Sequence, residues 1–171
     1  MTIRPRGMLA CALLALGLAG LTGCSGADAT DAPPAQQAAS VTIRDAWVKS
    51  ADSGMSAAFG VLVNSGPTDV TVVSSNSESS PMIELHETVE NDSGQMVMRE
   101  KDGGFVIPAG GEYALAPGGN HIMLMDLAKP VKAGDTVAFT VTFADGSTYG
   151  FDAPAKDYTG ANEQYEHGEH G

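Results

Sequence analysis

Between positions 41 and 154 the apolar residues come in short runs rich in β-branched and aromatic side chains, broken about every eight to twelve residues by Asn, Gly, Asp and Pro. No segment sustains a helical period, and the runs predict strands over 41–48, 57–64, 70–75, 83–90, 95–100, 111–115, 122–127, 136–143 and 148–152. The separators are turn sequences with a mechanism: Asn64-Ser65-Gly66-Pro67, Asn91-Asp92-Ser93-Gly94, Lys101-Asp102-Gly103-Gly104, Ala116-Pro117-Gly118-Gly119-Asn120 and Ala144-Asp145-Gly146. Many short strands at this spacing predict an all-β Greek-key sandwich or barrel in a single domain, residues 41–154.

The flanks follow other rules. Arg4 and Arg6 precede an apolar run over 8–21 that is too short for a stable transmembrane helix and has the form of a secretory signal. It ends in Leu21-Thr22-Gly23-Cys24, which resembles the lipobox of bacterial lipoproteins. Residues 1–23 are therefore expected to be removed, leaving a lipidated Cys24 and an extracytoplasmic protein held to the membrane through its lipid alone. Residues 24–40, rich in Ala, Asp, Pro, Gln, Ser and Thr, cannot bury enough apolar surface to offset their ordering entropy and are expected to form a disordered tether. Residues 155–171 are expected to be a flexible acidic tail carrying His167 and His170.

Removing 23 of the 171 residues leaves 148, enough for one domain with a hydrophobic core. The formal charge of −12 becomes −14 once Arg4 and Arg6 are lost. Such a surface is repelled by phosphate, which argues against nucleic acid and against direct binding to anionic headgroups. Cys11 lies in the leader and Cys24 would carry lipid, so the domain has no thiol for a disulfide, a zinc-thiolate site, a cysteine nucleophile or a blue-copper centre. A metal would have to be held by His, Met or carboxylate.

The domain has two histidines, His86 and His121, each followed by methionines. On strands, Met96 and Met98 share a face, and so do His121, Met123 and Met125; His86 aligns with Glu84 and Thr88 rather than with Glu87. Thioether sulfur is a soft neutral donor that suits Cu(I), and imidazole strengthens binding without adding charge. Two His and two Met would leave a centre open to ligand exchange and better able than thiolate to tolerate an oxidising compartment.

These residues resemble the periplasmic Cu(A) chaperones, the PCu(A)C family. That signature is His, an optional Met, ten residues, Met, about twenty-one residues and His-x-Met. Here His86-Glu87 is followed by ten residues and Met98, then by twenty-two residues and His121-Ile122-Met123. The optional Met is absent and the second gap is one residue longer. The resemblance continues through Met55-Ser-Ala-Ala-Phe59, Asn64, Glu84-Leu85-His86, Ile107-Pro-Ala-Gly-Gly111, Pro117 to Met125 and Gly134-Asp135-Thr136. It implies a cupredoxin-like β fold and one Cu(I) at an exposed site formed by His86, Met98, His121 and Met123; Met96 and Met125, which the pattern does not require, share the faces of these residues and read as auxiliary donors. It also implies a carrier, not an enzyme, that delivers copper to a partner such as a cytochrome c oxidase subunit or a Sco-type protein; the carrier is expected to be a monomer.

Blander roles compete at several positions. Met82, Met55, Met96 and Met125 read as core filler, Trp47 as a core anchor rather than a neighbour of the metal, Glu84 and Glu87 as solvent-facing rather than hard ligands for Cu(II) or Zn(II), and Tyr113 and Asp126 as structural. His167 and His170 would form an auxiliary Cu(II) site or only a solvated end. The glycine pairs have no helix start or Walker lysine after them and are turns. The alternatives to a copper carrier are a metal-free lipoprotein scaffold and a copper enzyme; a dismutase would want more histidines, and no hydrolytic triad or carboxylate pair is spaced persuasively.

Overall fold

The structure, a computed structural model, describes residues 36–161 and 164–165. Eleven strands follow a four-residue 3-10 turn, Gln37–Ser40: β1 Val41–Lys49, β2 Ser56–Asn64, β3 Val70–Asn76, β4 Ile83–Glu90, β5 Met96–Glu100, β6 Phe105–Ile107, β7 Glu112–Leu115, β8 His121–Leu124, β9 Thr136–Phe143, β10 Thr148–Lys156 and β11 Gln164–Tyr165. They hydrogen-bond in the order β11-β5-β4-β8-β2-β1-β10-β9-β3-β6, with β7 also on β2. The non-sequential returns, β8 between β4 and β2 and β10 between β1 and β9, are the long connections of a Greek key. The fold is all-β, as the spacing of runs and turns predicts, and cupredoxin-like, as the resemblance implies.

The strands form two sheets joined where β1 meets β10 in parallel. Their facing sides enclose the main core, which includes Leu62, Leu85, Ile122 and Leu124 from one sheet and Val72, Phe139, Val141 and Phe143 from the other. Burying each such side chain contributes roughly 1.5–3 kcal/mol before entropy is subtracted. Alternation then sends the neighbours of these residues to the outer face of the first sheet. Ala57 and Phe59, Met98 and Met123 form a second, smaller buried cluster there.

A bulge in β1 completes that outer cluster. Arg44 pairs with Val61 and Trp47 with Phe59, so Asp45 and Ala46 together oppose Gly60. Asp45 takes φ 52 and Gly60 takes φ 151. A Cβ on Gly60 would lie 3.0 Å from Ile43 Cδ1 and 3.1 Å from the Arg44 carbonyl, so glycine is what lets the strands close here. The extra residue reverses the alternation of β1 and turns Trp47 onto the outer face beside Phe59, with ring centroids 4.6 Å apart. Trp47 is thus not an anchor of the main core.

Two short strands have no counterpart in the expected pattern. β6 is a three-residue edge on β3, entered through Gly104 at φ 74, where a Cβ would collide with the Val72 carbonyl. β11 pairs in parallel with β5, Gln164 beside Val97 and Tyr165 beside Met98. β10 runs past Pro154 to Lys156, because its parallel ladder with β1 is registered at Ala155 and Lys156, beyond the proline. Strand structure therefore extends into the stretch expected to be a flexible tail. The expected leader, Cys24, most of the tether, His167 and His170 lie outside the described residues.

Candidate metal centre

Strand register assembles the predicted donors. His86 on β4 lies opposite His121 on β8, and Glu84 lies opposite Met123. Met98 on β5 lies opposite Thr88, two residues from His86 along the same face. Met123 is flanked on its other side by Ala57 of β2. Directly opposed positions share a face, so β5, β4 and β8 bring two imidazoles and two thioethers onto one patch.

The patch is buried. His86 is 0% exposed, His121 3%, and Met98 and Met123 4% each, which corrects the expectation of an exposed site. A cavity of about 200 Å³ reaches Met98, His121 and Met123, with Met55, Lys49 and Ala161 also on its wall. His86 does not line it but packs edge to face with His121, ring centroids 5.4 Å apart. Phe59 stands 6.1 Å from His121, and Trp47 and Met125 pack against the same cluster.

Hydrogen bonds set the lone pairs. His86 Nε2 lies 2.7 Å from Glu84 Oε2, and a carboxylate accepts, so the ring donates from Nε2 and carries its lone pair on Nδ1. That Nδ1 is buried and has no hydrogen-bond partner among the described residues. A buried acceptor left this way costs about 1–3 kcal/mol, which a bound cation would recover. His121 donates from Nδ1 to the Gly119 carbonyl at 2.9 Å, which puts its lone pair on Nε2. Both rings are held in tautomers able to ligate, in the manner of a carboxylate or carbonyl behind a metal-binding histidine.

Glu84 and Glu87 are not solvent-facing. Glu84 holds His86, and also accepts a 3.2 Å hydrogen bond from the Tyr165 hydroxyl. Glu87, on the opposite face, pairs with Lys101 at 2.7 Å and Arg99 at 2.9 Å; the Lys101 hydrogen bond, more than Arg99, holds its carboxyl below the usual range. Burial above all, then the charge of Glu84, pushes the Tyr165 hydroxyl up, so it stays protonated and donates. The remaining methionines divide differently from the expectation of core filler. Met82, Met96 and Met55 are about half exposed, with Met55 on the cavity wall, and Met125 alone is packed in.

Among the described residues no three His, Cys, Asp or Glu side chains gather to hold a metal. A centre at this patch therefore needs its sulfurs, and its donor set is soft and neutral. Sequence reasoning missed the roles of Phe59 and Tyr165, and it favoured a solvent-facing Glu84 and a core Trp47 over places beside the donors. Glu84 was legible as the position two before His86 on the same face; Tyr165 could be suspected only as an aromatic in a polar tail.

Residues 41–155 match the model of the LpqE-like family, which is described as one of lipoproteins. A protein of Leifsonia xyli subsp. xyli whose name describes a lipoprotein, Lxx21020, is 48% identical over 132 residues, covering 77% of this chain and 79% of its own. Among solved structures, the Cu(I) form of DR1885 from Deinococcus radiodurans aligns with a TM-score of 0.52 at 26% identity, covering 76% of this chain and 90% of that one. The copper-bound PCuAC domain of PmoF2 aligns at 0.57 and 17% identity over 70% and 94%, which establishes the shared fold. The chain belongs to the LpqE-like family and has the β fold of PCuAC domains.

Proposed function

We propose that this protein is an extracytoplasmic copper carrier, anchored by a lipidated Cys24, that binds one Cu(I) through His86, Met98, His121 and Met123 and passes it to a copper-accepting protein. The observation that carries the reading is the buried Nδ1 of His86, in hydrogen-bond register with His121 and on the same face as two buried thioethers. The Cu(I)-loaded relative at 26% identity supports copper as the cargo. A neutral donor set leaves the site with the single charge of the ion, so affinity comes without the rigidity of a thiolate cage and ligands can exchange. That behaviour suits delivery, and the acceptor is a cytochrome c oxidase subunit or a Sco-type protein. In this reading His167 and His170 supply a secondary Cu(II) site.

Trp47, the only tryptophan of the chain, packs against the cluster that contains Met98 and Met123. Anaerobic titration with Cu(I) is therefore expected to change its fluorescence and to saturate at one equivalent. A metal-free scaffold would leave the emission flat and contain no copper when purified anaerobically from copper-replete cells. Either result would overturn the carrier reading.

A further inference from the structure

Beyond β10 the described residues 157–161 and 164–165 stay against the domain. Ser50 Oγ donates to Asp157 Oδ1 at 2.6 Å, and Tyr158 packs edge-on to Trp47 at 5.4 Å. Lys49 Nζ donates to the carbonyls of Gly160 at 2.7 Å and Ala161 at 3.2 Å. Gly160 passes so close to Tyr158 that a Cβ there would lie 2.8 Å from the ring. Ala161 takes φ 53 and packs into the Met98–Met123 cluster, on the cavity wall. Tyr165 then lies flat on His86, ring centroids 5.2 Å apart and planes within 3°.

We propose that this C-terminal arm, residues 157–161 and 164–165, is the cap of the metal site, and that Tyr165 and Glu84 are positioning residues for His86. The inference rests on the copper reading and deepens it. The Tyr165 hydroxyl and His86 Nε2 both donate to Glu84 Oε2, so the arm's side chain helps hold the carboxylate that sets which nitrogen of His86 is left to the ion. The stacked ring and Ala161 cover the donors that the resemblance led us to expect at an exposed surface. An acceptor protein that must reach the ion by ligand exchange then has to lift the arm. The arm acts on hand-off through the rate at which the ion leaves, so affinity falls as that rate rises.

Among the described residues, the contacts that hold the arm include two carbonyls on one lysine, a two-residue ladder, one stacked ring and the hydrogen bonds of Asp157 and Tyr165. Loss of the arm removes an outer support of a ligand, a change that typically lowers metal affinity about 10–100-fold.

The test uses the full chain with Tyr165→Ala, Tyr165→Phe and a deletion of residues 166–171. Transfer of Cu(I) to an excess of a colorimetric Cu(I) chelator is followed by stopped flow, and the tautomer of His86 is read in the metal-free protein by nitrogen-15 NMR. Tyr165→Ala is expected to speed transfer at least about 10-fold and to change the metal-free His86 signal from an Nε2-protonated ring to a mixture. Tyr165→Phe, which keeps the stack and loses the hydroxyl, is expected to alter the tautomer signal with a smaller gain in rate. The deletion, which keeps Tyr165, should leave both unchanged. Equal rates in Tyr165→Ala and wild type, both loaded with one Cu(I), would overturn the cap. An unchanged His86 tautomer in the metal-free variants would overturn the positioning role whatever copper does. Wild-type protein that takes up no Cu(I) would instead remove the copper reading on which the cap depends.

Discussion

Replacing Met98 and Met123 together by leucine is expected to lower the affinity for Cu(I) by at least about 100-fold, the upper end of what the loss of a supporting partner does, because the proposed site loses two direct donors. Leucine has nearly the volume of methionine but no donor atom. Both side chains are 4% exposed and packed with Ala57 and Phe59, so the exchange keeps the cluster filled. Volume-conserving swaps of this kind usually cost less than about 1.5 kcal/mol each. Competition with a Cu(I) chelator, beside a thermal melt, separates the two effects. A large fall in affinity with a folded protein is the expected pair of results. Unchanged affinity would mean that the sulfurs are packing only and that the ion, if bound, sits elsewhere.

Exchanging residues 1–24 for a secretory leader with an ordinary cleavage site is expected, if the proposed lipid at Cys24 is the anchor, to move the protein from the membrane fraction to the soluble fraction. Each buried methylene of an acyl chain contributes about 0.8 kcal/mol, and one chain alone gives marginal binding, so a stable hold at Cys24 requires at least two chains. With the proposed leader removed, the formal charge of −14 is repelled by anionic headgroups. Fractionation of cells with an antibody to the domain checks this. A leader-exchanged protein that remains with the membrane would show that the β domain itself docks there.

The strands were legible in the sequence where two faces differ in polarity. Residues 83–90 and 136–143 coincide with the observed β4 and β9, because turn residues bound both and alternation is sustained along each. β6 escaped because three residues between a glycine pair and Pro108 are too few to display a period. β10 looked finished at Asp152 because proline lacks a donor; the ladder with β1 forms after it. β11 is two residues long and owes its existence to the open edge of β5, which no local pattern encodes.

The candidate site divides along the same line. Period-two spacing puts His121 with Met123 and His86 with Glu84, and these are properties of single strands. The pairing of His86 with His121 depends on the register between β4 and β8, and the presence of Trp47 on the same face depends on a bulge that reverses one strand. Neither is visible in a strand read alone. The cover over the site was the least legible feature, since Tyr165 reaches His86 across 79 positions of chain through a segment whose composition is that of a solvated tail.

The account stands or falls on convergence of the four donors around a single ion. X-ray absorption at the copper edge of the anaerobic, one-equivalent Cu(I) protein counts them directly. Two sulfur and two nitrogen scatterers in the first shell are the predicted result. A first shell of nitrogen and oxygen alone would contradict it.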